Sequence, residues 1–385
     1  MVSPDLQKSS GVGRYTIEIA RALAKEDEVS VFCNRCDTNL PDSVNIVKVP
    51  ALKRPLFLRL VSFSFFAWVK VRRQKFDIVQ SESEIFFNRD IIIAHSSFLH
   101  HIKAKYGTNW QSVFHGRNLI DFLKPGHLYS WAMATFRYRL RKYRKIIAVS
   151  ELVKKQLKDV YRLTDKDISV VPNGLNFEEF SSGRDCSEEV KRQIRQTHRL
   201  KEDDLVLLFV GHDFKRKGLD FLVRALAFLP ANVKLLVVGC GYWPHRKDFY
   251  IRLVQEENLS GRIFFVGTAK NVSDYYAAGD IFILPSLDEP FPLSVLEAMV
   301  CELPVIISRM TGTAEYLTNK KDCLIVEDVT NPEEIAEKIR YFLDKEIRTR
   351  IAIQGQRKVR EFSWGKAAEQ LTETYFSCLR KTNEK

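Results

Sequence analysis

The sequence predicts an α/β protein of two doubly wound parallel-sheet domains, and three observations predict it. Its 385 residues exceed one ordinary core and suit two domains of about 150–200 residues each. Short runs of Val, Ile and Leu recur along the chain with helix-period segments between them. The runs are continuously apolar and do not alternate, as expected for strands buried on both faces of a parallel sheet.

In chain order, Gly11-Val12-Gly13 forms a loop that leads into a helical pattern from Arg14 to Ala24, with Ile17, Ala20, Ala24 and Ile19, Leu23 on its apolar face. Strands are predicted at 29–32, 46–49, 78–80, 91–94, 146–149 and 168–171. Only Met1 to Ser3 precede Pro4, so a strand ahead of the glycine loop is nearly absent. Past a polar connection at 173–202, strands are predicted at 205–210, 234–238, 263–266, 281–284 and 305–307. Right-handed crossovers then give two doubly wound sheets, whose ligands bind beyond the strands' carboxyl ends. Those edges are expected to face each other across a cleft.

Composition narrows the function. A hydrophobic content of 45% and a charged content of 28% exclude a disordered or collagen-like chain. Seven thinly spread cysteines argue against a disulfide framework. The pair Cys33 and Cys36 has no second C-x-x-C to complete a zinc site. The longest apolar run, 56–69, contains Arg59 and falls short of the roughly 20 residues that span a bilayer. Met1-Val2-Ser3-Pro4-Asp5 does not read as a secretory signal, so a soluble cytoplasmic protein is expected. The net charge is +12, and residues 1–180 carry +11 of it (29 basic, 18 acidic). That half is expected to face something anionic, the plain alternative being solvated Lys and Arg faces.

The segment from Glu289 to Glu297 is the main site signal. Pro292 suits the first turn of a helix, where a missing N–H is harmless. The amides of Leu293, Ser294 and Val295 then open the helix as an anion site. Glu297, four residues past Leu293, shares its face, and Glu289 lies in the loop ahead. Two carboxylates aimed at a phosphate would repel it, so they suit sugar and ribose hydroxyls; the bland alternative is a pair of exposed helix-start acids. A second signal is Gly211-His212-Asp213-Phe214-Lys215-Arg216-Lys217-Gly218, three cations at a strand's carboxyl end without P-loop spacing. His95 ends the strand at 91–94 and points out of the core. His100, His101, His115 and His127 lack tight metal-ligand spacing, and no metal is expected.

These motifs resemble the retaining glycosyltransferases of family 4. The family's Glu, seven residues and Glu, in a stretch like E-G-F-G-L-x-x-L-E-A, is matched by Glu289-Pro-Phe-Pro-Leu-Ser-Val-Leu-Glu297-Ala298. Glu302-Leu303-Pro304-Val305-Ile306 stands where the family has G-x-P-V-I, and prolines 290 and 292 replace two family glycines. The resemblance implies a GT-B fold: two Rossmann-like domains facing a cleft, with a nucleotide-sugar donor and no cofactor. It implies an acceptor-binding domain at 1–180, a nucleotide-sugar-binding domain at 181–360 and a C-terminal helix at 361–385 that returns to the first domain. Phe362-Ser363-Trp364, followed by Ala367, Leu371 and Tyr375, is similar to that helix.

The resemblance also implies roles. Arg216 and Lys217 neutralise the departing diphosphate, and Glu289 contacts the donor sugar. His95 lies against that sugar, and Glu297 binds the ribose. Gly11, Gly13, Arg14, Phe291, Leu293, Ser294 and Val295 belong to the donor site. Backbone amides at Gly267 hold the base, and Glu315, in the loop from Thr313, lies near the donor. The segment 210–220 is similar to that of lipopolysaccharide-core glucosyltransferases, which favours UDP-glucose and a glycolipid or saccharide acceptor. An oligosaccharide phosphorylase on the same fold is the enzymatic alternative. A nucleic-acid binder is the non-enzymatic one, and no nucleic acid is expected because no recognised module is present.

Residues 56–75 form a basic amphipathic stretch with Phe57, Leu60, Val61, Phe65, Trp68 and Val69 on one face and Arg59, Lys70, Arg72, Arg73 and Lys75 nearby. A second basic stripe runs from Arg137 to Lys145. Either the first stretch faces the domain core or it contacts an anionic membrane surface peripherally.

Overall fold

The structure, a computed structural model, describes residues 1–8, 10–82, 90–106, 123–141, 143–181, 188–239 and 243–383. His115 and Lys142 lie outside the described residues. The chain divides into two compact units, one of residues 1–174 with 362–385 and one of residues 175–361.

In the first unit, β1 (Val29–Cys33) pairs with β2 (Val44–Lys48), and β3 (Gln80–Ser81), β4 (Ile91–Ala94), β5 (Lys145–Ala148) and β6 (Ile168–Val170) form a second run, all parallel. Val2 joins the two runs. It bridges Phe32 on one side and Ser81 on the other, with Ser3 N–H donating to Phe32 O at 3.1 Å and Val2 N–H to Gln80 O at 2.9 Å. The start of the chain is therefore a central rung at Val2 followed by a two-residue strand, Asp5–Leu6, that pairs in parallel with Arg35–Cys36. The rung's short length suffices because Val2, Phe32 and Val49 are buried in one cluster.

Helix α1 (Gly11–Leu23) starts earlier than the apolar pattern suggests, because Ser10 caps it by accepting from Gly13 N–H at 3.4 Å. Both glycines thus lie in its first turn. A side chain at Gly13 would stand 2.5 Å from Gln7 O, so close backbone packing requires that glycine, whereas Gly11 is open. Helix α2 (Leu56–Arg72) buries Phe63 and Ala67 against the Val2–Phe32–Val49 cluster, and its Ser64 is buried too. It leaves Leu56, Leu58, Val61, Phe65 and Phe66 exposed. One helix carries both a core face and an uncovered apolar face, and the core face is turned toward Phe63 and Ala67, away from Val61 and Phe65. Among the described residues this unit also holds helices α3 (Phe98–Tyr106), α4 (Pro125–Arg139) and α5 (Glu151–Tyr161).

The second unit opens with α6 (Phe177–Ser181) and α7 (Glu188–Thr197). Its strands are β7 (Leu205–Val210), β8 (Val233–Val238), β9 (Ile263–Gly267), β10 (Ile281–Leu284), β11 (Val305–Ser308) and β12 (Leu324–Val326). They form one parallel sheet in the order β9-β8-β7-β10-β11-β12. That is the doubly wound order in which the strand sequence reverses between the first and fourth strands, here β7 and β10. Most of these strand residues are fully buried, as the unbroken apolar runs require. Strand β12, which follows a turn through Asn319–Cys323, was not among the predicted strands. The intervening helices are α8 (Leu219–Ala225), α9 (Trp243–Glu256), α10 (Ser273–Ala278), α11 (Leu293–Val300), α12 (Pro332–Tyr341) and α13 (Lys345–Val359).

Helix α14 (Trp364–Asn383) belongs to the first unit and packs on α1, with Trp364 edge-on to Tyr15 at 5.8 Å between ring centroids. A side chain at Gly174 would lie 2.3 Å from Trp364 N. Gly174→Ala is therefore expected to destabilise the first unit by about 1–3 kcal/mol through forced backbone shifts, read as a lower urea midpoint at unchanged slope.

Candidate active site

The switch point between β7 and β10 places two loops side by side in the second unit. The loop after β7 depends on glycines at close approaches. Gly218 has φ +76°, and a side chain there would meet Pro285 O at 1.9 Å. Gly239, at the end of β8 with φ +124°, has the same relation to Gly211 O. A side chain at Gly211 would overlap Lys217 Cδ at 2.3 Å, so the lysine stem lies across bare backbone. These contacts draw the carboxyl ends of β7, β8 and β10 together.

The loop after β10 is held from the other side. Glu289 N–H donates to Met310 O at 2.9 Å, and Gly312 N–H donates to Glu289 O at 2.8 Å. With its backbone fixed, Glu289 Oε2 accepts from Lys217 Nζ at 2.7 Å and from Arg216 Nη1 at 3.0 Å. Arg216 also donates from Nη1 to Asp288 O and from Nε to Asp213 Oδ2 at 3.3 Å. All three charged side chains are buried, with Glu289, Arg216 and Lys217 exposed by 8, 8 and 9%. Burial alone would raise the Glu289 pKa, but the charges and hydrogen bonds of Arg216 and Lys217 outweigh it and hold the carboxyl at about 2. Burial works against the Arg216 charge in turn, and Glu289, Asp213 and Asp288 more than restore it. The contacts described leave Arg216 Nη2, two ammonium hydrogens of Lys217 and Glu289 Oε1 for a ligand.

Pro292 caps helix α11 from outside, at φ −74° and ψ 119°, so Leu293 is the first helical residue and the proline sits one position earlier than a first-turn proline. Val295 N–H donates to Pro292 O at 3.3 Å, which removes it from the amides offered to an anion. Those of Leu293 and Ser294 remain first-turn amides with no intrahelical acceptor. Glu297 is buried, not an exposed acid, and its Oε2 accepts from Tyr276 O–H at 2.7 Å. Phe291 is buried edge-on to Tyr316 at 6.0 Å. Gly267 ends β9 at φ +80°, and its carbonyl accepts from Gly239 N–H at 2.8 Å. Thr313 is buried and Glu315 exposed in the short turn Gly312–Glu315.

Arg216, Lys217 and Glu289 thus meet directly, while Glu297 sits eight residues on in α11 with a different partner. Sequence reasoning missed Asp213, Asp288 and Tyr276. Asp213 stands three residues before Arg216 and was visible in principle; Tyr276 is distant in sequence and gives no local signal.

The remaining candidates lie in the first unit. His95 follows β4, with Nε2 3.2 Å from Glu82 Oε2 and its ring edge-on to Tyr15 at 4.7 Å. Gly11, Gly13 and Arg14 occupy the first turn of α1. His100 Nδ1 meets Ser97 Oγ at 3.1 Å, and His127 stacks edge-on to Phe98. Cys33 and Cys36 are free thiols, the former pushed up to about 11 by burial. Among the described residues no cluster of metal-ligating side chains occurs, and no helix is long and apolar enough to cross a membrane.

Glu289→Gln leaves two buried cations short of a counter-charge and is expected to cost about 3–5 kcal/mol at neutral pH. The folded-state pKa of Glu289 lies below its ordinary 4.5, so its contribution is complete above pH 4.5 and disappears as pH falls toward about 2. Urea unfolding of both proteins should show the gap narrowing across that window; a gap independent of pH would contradict this account.

Two family models match the chain: Glycosyltransferase Family 4 over residues 9–179 and Glycosyl transferases group 1 over residues 190–359. The lipopolysaccharide core biosynthesis glycosyltransferase LpsE of Rhizobium meliloti (strain 1021) is 30% identical over 176 residues, 45% of this chain and 49% of that protein. The chain spans 57–61% of the length of other curated relatives that it matches. Among solved structures, WaaG, a glycosyltransferase involved in lipopolysaccharide biosynthesis, has a TM-score of 0.78 at 19% identity, covering 97% of this chain and 98% of that one. Anabaena Alr3699/HepE, solved in complex with UDP and glucose, has a TM-score of 0.70 at 18% identity, with 98% of both chains covered.

Proposed function

The chain belongs to the group 1 and family 4 glycosyltransferases with the GT-B fold, and from that membership we propose that it is a retaining, metal-independent enzyme that moves a hexose from a nucleotide-diphosphate sugar to a glycolipid or lipopolysaccharide-core acceptor. UDP-glucose is the favoured donor. The observation that carries this reading is the double grip of Glu289 on Arg216 and Lys217 beside the start of α11.

In the proposed reaction the glycosidic bond to the diphosphate breaks, and negative charge grows on the leaving phosphate oxygens. Arg216 Nη2, the spare ammonium hydrogens of Lys217 and the amides of Leu293 and Ser294 receive that charge. Fixed cations serve here as a divalent ion would, because both stabilise the leaving group without reorganising. The acceptor hydroxyl attacks from the same face, and the leaving phosphate oxygen takes its proton. Glu289 Oε1 accepts from a donor-sugar hydroxyl, and Glu297, oriented by Tyr276, accepts from the ribose. His95 orients the sugar, Phe291 supports the donor loop, and Gly11, Gly13, Arg14 and Gly267 complete the proposed donor contacts. The phosphorylase alternative is not favoured, since the relatives are transferases.

The acceptor side of the proposal includes peripheral contact with an anionic membrane surface. The +11 charge of residues 1–180 and the uncovered Leu56, Leu58, Val61, Phe65 and Phe66 of α2 support it. Phe65→Glu with Phe66→Glu is expected to reduce co-sedimentation with phosphatidylglycerol vesicles, and unchanged binding would discard this contact.

Donor choice is read most directly by thermal shift against UDP-, GDP- and ADP-sugars, with UDP-glucose expected to raise Tm and the others to have smaller effects. Lys217→Ala and Glu297→Ala are each expected to lower transfer, Lys217→Ala by about 10²–10³-fold in kcat. Wild-type turnover in both would end the assignment.

A further inference from the structure

A buried carboxylate in the first unit has no part in the reaction just described. Glu82 follows β3 and is 2% exposed. Each of its oxygens has one donor: Oε1 accepts from Gln80 Nε2 at 2.7 Å, and Oε2 lies 3.2 Å from His95 Nε2. Gln80 is oriented in turn by Tyr375 O–H, which donates to Gln80 Oε1 from helix α14. Tyr15 closes the other side of the imidazole, held by Trp364 of the same helix. Burial, followed by the nearby Glu82 charge, raises the Tyr15 and Tyr375 hydroxyls well above their ordinary range, so both stay protonated.

A carboxylate only accepts, so the ring atom facing Glu82 must carry a proton. We propose that Glu82 is a positioning residue that fixes His95 as the Nε2–H tautomer and presents Nδ1 as an acceptor for a hydroxyl of the bound sugar. The C-terminal helix takes part through Tyr375 and Gln80, which hold the far oxygen of Glu82. Because Nδ1 and Nε2 lie on opposite sides of the ring, fixing one fixes the direction in which the other points. The proposal rests on the reading that His95 contacts the donor sugar, but the tautomer it assigns is independent of that reading.

The experiment joins imidazole ¹⁵N NMR of the full chain with kinetics on UDP-glucose. His95→Gln identifies the His95 signals and tests the contact. Wild-type protein is expected to show one His95 form, with the proton on Nε2 and Nδ1 acting as an acceptor. Glu82→Gln has one acceptor oxygen for two donors, so it is expected to give mixed tautomers and to lower kcat about 10–100-fold, by analogy with partners that orient metal-bound histidines, with donor KM changed less than about twofold. Glu82→Asp keeps the charge but withdraws it from Nε2 and is expected to resemble Glu82→Gln, which separates positioning from mere charge. In the double variant, Glu82→Gln should have little further effect once His95 is gone.

An Nδ1–H tautomer in wild-type protein overturns the proposal, and this measurement needs no variant to fold. A kcat for Glu82→Gln within twofold of wild type, alongside an impaired His95→Gln, overturns it as well. Full activity in His95→Gln would instead refute the sugar contact while leaving the tautomer assignment to be judged on the spectra.

Discussion

One buried carboxylate organises the second unit's strand-end loops. Glu289 Oε2 is shared by Arg216 and Lys217, which come from a loop more than seventy residues away. Without a counter-charge, either cation at this depth would be severely desolvated. Without the cations, the carboxyl would have its pKa raised by burial, not held at about 2. The three groups are therefore stable only as a set, and the set exists only because β7 and β10 are adjacent in the sheet. Glycine at 211 and 218 lets the stems and the backbone pass closely enough for the charges to meet.

For the proposed function, this arrangement keeps two cations side by side for an anion while Glu289 offsets their mutual repulsion. Glu289 offsets one positive charge while its second oxygen and the unused N–H groups stay available. The groups do not have to be gathered from solvent when a ligand arrives, so little reorganisation opposes its charge. The first unit uses the same physical device at smaller scale, where Glu82 fixes a histidine through one oxygen and is fixed through the other.

Much of the fold was legible because parallel sheets write themselves as unbroken apolar runs. The strands at 91–94, 205–210 and 281–284 match their observed limits. What was not legible depended on contacts distant in sequence or on very short elements. Val2 acts as a strand because β1 and β3 flank it, and Asp5–Leu6 because it pairs with Arg35–Cys36. The start of α1 was misplaced because Ser10 outweighs the poor helix propensity of Gly11 and Gly13. In the candidate site, residue types and spacing pointed to Glu289, Glu297, Arg216 and Lys217. Their partners were hidden: nothing local to Glu297 points to Tyr276, and nothing local to His95 points to Glu82, thirteen residues earlier.

The prolines at 290 and 292 show how local and tertiary terms combine. Proline cannot donate, so the segment from Glu289 to Leu293 has lost two amides that glycine would have offered. Pro292 sits at the cap, where its fixed φ suits the turn and its missing N–H breaks no helical bond. Val295 N–H is occupied by the Pro292 carbonyl. In the proposed donor site, the backbone amides left for an anion are therefore those of Leu293 and Ser294. Side-chain cations must supply more of the binding field than in a glycine-rich version of the same loop. Their charge is delivered from a fixed position because Glu289, immediately before Pro290, anchors both. Rigid backbone on one side and a shared carboxylate on the other thus make the same loop poorer in amide donors and richer in positioned charge.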